Sequence, residues 1–79
     1  MLKYIEDKEP SLKELQDYVG GYIETISLSN GDQLVINEDG RSLQLPHNPE
    51  ATKVYLQNGG MAGMDIVGKA IIVKAGLLK

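Results

Sequence analysis

The chain contains a single histidine, His47, so any Ser/His/Asp arrangement would have to use it. It lies between Pro46 and Asn48, a loop position where exposure to solvent is the default. Because the sequence has no cysteine, one imidazole is also too little for a standard zinc site. The sequence therefore predicts no catalytic residue and no metal ligand at this position.

Three acidic side chains, Glu24, Glu38 and Asp39, fall where they could meet at one end of a hairpin. Paired carboxylates perform acid–base catalysis when burial separates their pKa values. Each of these acids instead falls in a predicted turn or on a predicted solvent face, which favours solvation. The acids also lack the spacing of a calcium-binding loop. We therefore predict that the protein is not an enzyme and uses no cofactor.

Two glycine-rich segments, Gly20-Gly21 and Gly59 to Gly63, suggest phosphate-binding loops at first sight. Such loops follow a strand and open a helix, whereas both of these segments follow a predicted helix. Ser11 to Glu14 has the pattern of a capping box that begins the first helix. Asn48-Pro49-Glu50 predicts the start of the second helix, with Asn48 as the N-cap. The glycine pairs then end the two helices.

The remaining chain shows alternating or continuous apolar patterns that are typical of strands. Asn30-Gly31 predicts a tight hairpin in which both turn residues have positive φ. The predicted order is β-α-β-β-(β)-α-β, in one α+β domain over residues 1–79, with both helices on one face of a mixed or antiparallel sheet. Strand order is left open. The predicted strands are Leu2–Ile5, Tyr22–Leu28, Gln33–Asn37, a short arm at Ser42–Leu45, and Ile66–Lys74.

The charge of the chain excludes some partners. Its net charge is −3, with three Lys against nine acids in residues 1–40 and five Lys or Arg against two acids in residues 41–79. The favoured interpretation of this uneven charge is that both halves of the chain are simply solvated. The alternative is a surface dipole that orients a partner. No basic cluster supports nucleic-acid binding. No apolar run reaches the roughly 20 residues of a membrane span. The absence of cysteine fits a reducing, cytosolic setting, so we expect a cytoplasmic protein.

Met61 and Met64 lie in the glycine-rich loop before the last strand. Exposed methionines suit adaptable contact surfaces, because the side chain is flexible and polarisable. The alternative is that they cover one end of the core. These residues are candidates for binding rather than for catalysis.

The segment from Val19 to Glu24, Val-Gly-Gly-Tyr-Ile-Glu, resembles a domain of unknown function, family 3846, which is common in bacteriophages and other mobile elements of bacteria. Leu15 fits the same pattern. The resemblance continues through the segments 37–40, 45–46 and 48–52, and it ends at Asp65–Ala70. The chain differs from the family pattern in two places: its first strand is short, and the loop before Asp65 is rich in glycine and methionine.

The resemblance implies a phage or mobile-element protein that acts inside an infected bacterial cell, and it supplies no activity. Glu24 has no evident packing role in its motif, so together with Tyr22 and Asn48 it is our candidate for a functional surface. The first hypothesis is an accessory protein, monomer or homodimer, that binds a bacterial host protein and changes its activity. The alternative is a small viral structural or assembly component that associates with itself.

Overall fold

The computed structural model describes residues 1–78; Lys79, the last residue of the predicted domain, lies outside the described part. The elements are β1 (Leu2–Ile5), α1 (Leu12–Val19), β2 (Ile23–Ser27), β3 (Gln33–Asn37), α2 (Pro49–Gln57) and β4 (Ala70–Val73). The predicted α+β class, with two helices and a mixed sheet, is confirmed. Among residues 1–78, no helix has the length and apolar character of a membrane span.

The four strands form one sheet in the order β1-β4-β3-β2. β4 runs parallel to β1 and antiparallel to β3, and β3 runs antiparallel to β2. The first and last strands of the chain are therefore neighbours. β3 and β4 form the centre of the sheet, while β1 and β2 form its two edges.

Both helices begin and end where the sequence predicts. The Ser11 hydroxyl accepts a hydrogen bond from the Glu14 amide at 3.0 Å, and Asn48 Oδ1 accepts one from the Ala51 amide at 3.1 Å. Gly20 ends α1 with a φ of 86°, a left-handed conformation that glycine adopts without steric cost. The Glu14 carboxylate does not complete the capping box and lies 3.9 Å from Lys3 Nζ instead.

The prediction that both helices pack on one face of the sheet was wrong. Leu34 belongs to a core cluster with Ala51 and Tyr55 of α2, whereas its neighbour Val35 packs with Leu15 and Val19 of α1. Because successive side chains of a strand point to opposite faces, the two helices lie on opposite sides of the sheet. The burial of every β4 side chain agrees with this, since a strand covered on both faces is apolar throughout.

The predicted arm Ser42–Leu45 is not a strand. Residues 38–44 form consecutive turns, closed by hydrogen bonds from the Leu43 amide to the Asp39 carbonyl at 2.9 Å and from the Leu45 amide to the Gly40 carbonyl at 3.0 Å. The last strand is also shorter than predicted, because Gly68, with a φ of 80°, interrupts the extended run before Ala70.

The β2–β3 hairpin has a three-residue loop rather than a two-residue turn. The Leu28 amide donates to the Asp32 carbonyl, and the Gly31 amide donates back to the Leu28 carbonyl, each at 2.9 Å. Gly31 has a φ of 95°, but Asn30 does not have positive φ. The prediction of positive φ at both turn residues was therefore wrong, and the loop is of the kind in which a single left-handed residue closes a wider turn.

Candidate interaction surface

A network of three charged or polar side chains lies on the surface formed by the loops around α2. Arg41 Nη1 donates to Asp65 Oδ1 at 3.2 Å, and Arg41 Nη2 donates to the Asp65 main-chain carbonyl. His47 Nδ1 lies 2.9 Å from Asp65 Oδ2. All three side chains are about half exposed. Asp65 is thus held from two sides while the group stays open to solvent.

The loops that carry these three residues are fixed by main-chain hydrogen bonds. His47 and Val67 form an isolated antiparallel bridge, and the Asn48 amide donates to the Ile66 carbonyl at 2.8 Å. The Ile66 amide donates to Thr52 Oγ1 of α2, also at 2.8 Å. Asp65 is therefore positioned by α2 and by the segment that precedes α2.

Beside this network runs a small cleft of about 110 Å³. A cleft of this size is well below the roughly 300–1,000 Å³ of small-molecule sites. The arrangement therefore suits contact with a side chain of a larger partner better than enclosure of a ligand. It is lined by Glu24, Ile36, Asn37, Glu38, Gly40, Arg41, Ser42, Asp65 and Val67.

The hydrogen bond with His47, followed by that with Arg41, lowers the pKa of Asp65 from its usual 3.8. A carboxylate whose pKa is lower in the folded state stabilises the fold above its unfolded pKa, and this contribution is lost as the pH falls through the folded pKa. We therefore expect the native protein to have a higher free energy of unfolding than Asp65→Asn above pH 3.8, and we expect this difference to disappear at more acidic pH.

An NMR titration of the Asp65 carboxyl carbon tests this directly. The pKa of Asp65 should lie below 3.8 in the native protein and move back toward that value in His47→Ala, because the hydrogen bond with His47 is the largest cause of the shift. A native pKa of Asp65 at or above 3.8 would contradict the observed network.

Three of the five residues predicted for binding line the cleft or neighbour a residue that lines it, and a fourth, Met61, is hydrogen-bonded to one of these three. Glu24 lines it directly, and the Tyr22 carbonyl accepts a hydrogen bond from the amide of the lining residue Glu38 at 2.9 Å. Met64 directly precedes Asp65 in the chain and donates its amide to the Met61 carbonyl at 3.2 Å. Tyr22, Met61 and Met64 are 70%, 66% and 44% exposed.

The fifth predicted residue, Asn48, lies beneath this surface and is 0% exposed. Its Nδ2 donates to the carbonyls of Met1 at 3.1 Å and Gly68 at 2.8 Å, while its Oδ1 caps α2. With these bonds the side chain ties β1, α2 and the segment before β4 together. We assign Asn48 a structural role and leave it out of the contact surface.

Sequence reasoning did not select Arg41 or Asp65. They are 24 residues apart, and no local spacing indicates that they meet. The sequence around His47 gives no sign of a role beyond catalysis or metal binding, whereas in the structure His47 is a hydrogen-bond partner of Asp65. Within residues 1–78, no group of three or more His, Asp or Glu side chains is arranged to hold a metal ion.

The model of a family described as a domain of unknown function (DUF3846) matches residues 2–76. The chain belongs to this family. The DUF3846 match takes in every strand and helix from β1 to β4 as well as the cleft and its three-residue network. No curated protein and no solved structure matches the chain.

Proposed function

We propose that the protein is a small, non-catalytic binding module. Its contact surface consists of Tyr22, Glu24, Arg41, Met61 and Met64 and is called the Tyr–Met surface below. The observation that carries the proposal is that three large side chains, Tyr22, Met61 and Met64, are exposed, and that Tyr22 and Met64 neighbour the charged residues Glu38 and Asp65 of the cleft. Tyrosine, methionine and arginine are enriched where proteins contact one another.

The chemistry of the Tyr–Met surface favours a protein as its partner. Methionine side chains adapt their shape to an apolar projection, and tyrosine offers a large contact area with a polar tip. Glu24 and the Arg41–Asp65 pair supply charges of both signs, which select the orientation of a partner more than they add affinity. A partner that fits has an apolar side chain next to a charged one.

The partner that we propose is a bacterial host protein, met in the cytoplasm of an infected cell. This proposal is supported by the resemblance of the chain's motifs to domains of phages and mobile elements. Binding would change the activity of the host protein by covering part of its surface. The alternative role, a viral assembly component, predicts large self-assembled particles in place of a complex with a host protein.

The test is affinity capture of the tagged protein from bacterial lysate, followed by titration of the captured protein with purified variants. We expect the double variant Tyr22→Ala/Met64→Ala to bind at least tenfold more weakly, which corresponds to about 1.4 kcal/mol. Tyr4→Ala is the matched control, because Tyr4 is 56% exposed on β1, at the opposite edge of the sheet from β2.

Equal weakening by the Tyr4 control would place the contact elsewhere and contradict the Tyr–Met surface. Recovery of the bait alone would count against a host partner. Particles of high mass in light scattering would favour the assembly role instead.

A further inference from the structure

The outer edge of β2 has main-chain groups free to pair. Within residues 1–78, β2 pairs with β3 alone. Hydrogen bonds join Leu28 to Asp32 and Tyr22 to Glu38, and bonded pairs alternate with non-bonded pairs along an antiparallel ladder. Glu24 and Ile26 are therefore bonded to β3. The N–H and C=O groups of Ile23, Thr25 and Ser27 point away from the sheet.

This edge lacks three of the features by which proteins protect exposed strands, namely lysine, proline and a bulge, and its one charged residue is Glu24. Natural edges carry lysine, proline, a bulge or a covering segment. The sequence of β2, Ile-Glu-Thr-Ile-Ser, contains neither lysine nor proline. Its five residues pair with β3 in unbroken register, without a bulge. The other edge strand, β1, carries Lys3, which forms an ion pair with Glu14 and is followed by a charged segment at residues 6–9. The two edges of the sheet are thus unlike.

A cleft with both polar and apolar walls lies over the same edge on the α1 side of the sheet. Its volume is about 410 Å³, and its walls are formed by Glu9, Pro10, Leu12, Leu15, Ile23, Thr25 and Leu78. Leu12 is 58% exposed there although it begins the helix that covers this face. A free strand edge and an uncovered apolar side chain therefore lie side by side.

The sequence of β2 is complementary to itself when two copies run antiparallel. With Thr25 opposite Thr25 of the second copy, Ile23 lies opposite Ser27 and Glu24 lies opposite Ile26. Like charges directly opposite each other would be destabilising. In this register no acidic side chain lies directly opposite another acidic side chain. The outward groups of Ile23, Thr25 and Ser27 all find partners in this register.

We propose that β2 is a homodimer interface, in which two copies join edge to edge about Thr25 and form one eight-stranded sheet. A twofold axis through the Thr25 pair places α1 of both copies on the same side, so the two clefts meet at the junction and Leu12 is covered. Such an interface is isologous and closes after two copies, unlike a growing assembly. The proposal does not depend on the Tyr–Met surface or on a host partner.

Charge substitution at Thr25 tests both the interface and its register. We expect the native protein to have twice the mass of one chain in light scattering at about 100 μM, a concentration at which an interface of micromolar Kd is formed. Thr25→Lys alone and Thr25→Glu alone should each be monomeric, because like charges would face each other. An equimolar mixture of the two should recover the dimer.

Gln57→Lys is the matched control, because Gln57 is exposed at the end of α2 and the substitution adds the same charge. This variant should remain a dimer. A native protein that stays monomeric up to 1 mM, or a dimer that Thr25→Lys leaves intact, would overturn the proposal. Loss of binding to a host protein without loss of the dimer would affect only the proposed function.

A second measurement does not disturb the central pair. The chain has no cysteine, so Ser27→Cys carries a single nitroxide label. In the proposed register the two Ser27 positions are four residues apart along the junction, which places their Cα atoms about 14 Å apart. A distance distribution near this value, broadened by the label, supports the register. Absence of any interspin distance below about 40 Å in the native-sequence background contradicts it.

Discussion

Replacing Asn48 with alanine should lower the free energy of unfolding by about 2 kcal/mol, a large share of the stability of so small a domain. The change removes the cap of α2, which contributes about 1 kcal/mol. It also removes the donor for the carbonyls of Met1 and Gly68. The buried Gly68 carbonyl is then left without its partner, which costs about 1 kcal/mol more. The Met1 carbonyl keeps its hydrogen bond from the Ala70 amide at 2.8 Å. Urea denaturation followed by circular dichroism measures the loss.

Ser11→Ala separates the two contributions, because Ser11 caps α1 in the same way but its hydroxyl makes a capping bond at an exposed site. We expect it to cost about 1 kcal/mol. Asn48→Asp keeps an acceptor for the Ala51 amide and loses both donated bonds, so it should be nearly as damaging as alanine. If Asn48→Ala costs no more than Ser11→Ala, Asn48 does not hold β1 and the segment before β4 together.

Replacing Gly60 with alanine should cost about 3 kcal/mol, at the upper end of the range for overpacking. A Cβ atom at this position would lie 2.5 Å from the Tyr55 carbonyl oxygen and 2.6 Å from Tyr55 Cδ2. The carbonyl cannot move freely, because it accepts the Gly60 amide at 2.8 Å at the end of α2. Relief of the contact therefore requires a shift of the chain that leads into the loop carrying Met61 and Met64, called the methionine loop below.

Gly63→Ala is the matched control in the same loop. Gly63 has a φ of 88° but open space around its Cβ position, so alanine there meets only the cost of the left-handed conformation, about 1 kcal/mol. Chemical denaturation of the two variants side by side gives the comparison. Equal costs would show that the close approach of Gly60 to Tyr55 does not constrain the loop.

The Gly60 substitution also bears on the Tyr–Met surface. The Tyr55 hydroxyl accepts a hydrogen bond from the Met61 amide at 3.2 Å, so the residue that closes on Gly60 also fixes the start of the methionine loop. Displacement of Tyr55 should therefore change the position of Met61 and Met64. In an NMR spectrum, Gly60→Ala should shift the amide resonances of both residues more than Gly63→Ala shifts that of Met61.

Much of the local structure could be predicted from residue types alone. Ser11 and Asn48 begin helices because their side chains accept a hydrogen bond from an amide in the first turn, and Gly20 ends one because it tolerates positive φ. The alternation at Leu34, Val35 and Ile36 gives the correct faces of β3. These signals act over three or four residues, so their meaning does not depend on the rest of the fold.

The hairpin and the final strand show where local signals were insufficient. Asn30-Gly31 indicates a turn but not its length, which the register of β2 against β3 determines. Similarly, the apolar run from Ile66 continues past Gly68 without a break in composition. The interruption arises because Gly68 has a φ of 80°, which an extended strand does not allow. A Cβ atom there would also lie 2.7 Å from Leu45 Cδ1.

The sequence by itself determined the class of the domain, the number of helices and the residues at which the helices begin and end. These features follow from capping and periodicity, which are short-range properties. Only the tertiary structure decided that α1 and α2 cover opposite faces, since each helix has an apolar stripe that fits either side of a sheet. The same holds for the Arg41–Asp65–His47 network. Its members come from two loops that meet through the His47–Val67 bridge and the bonds of Asn48, contacts between residues about 20 positions apart.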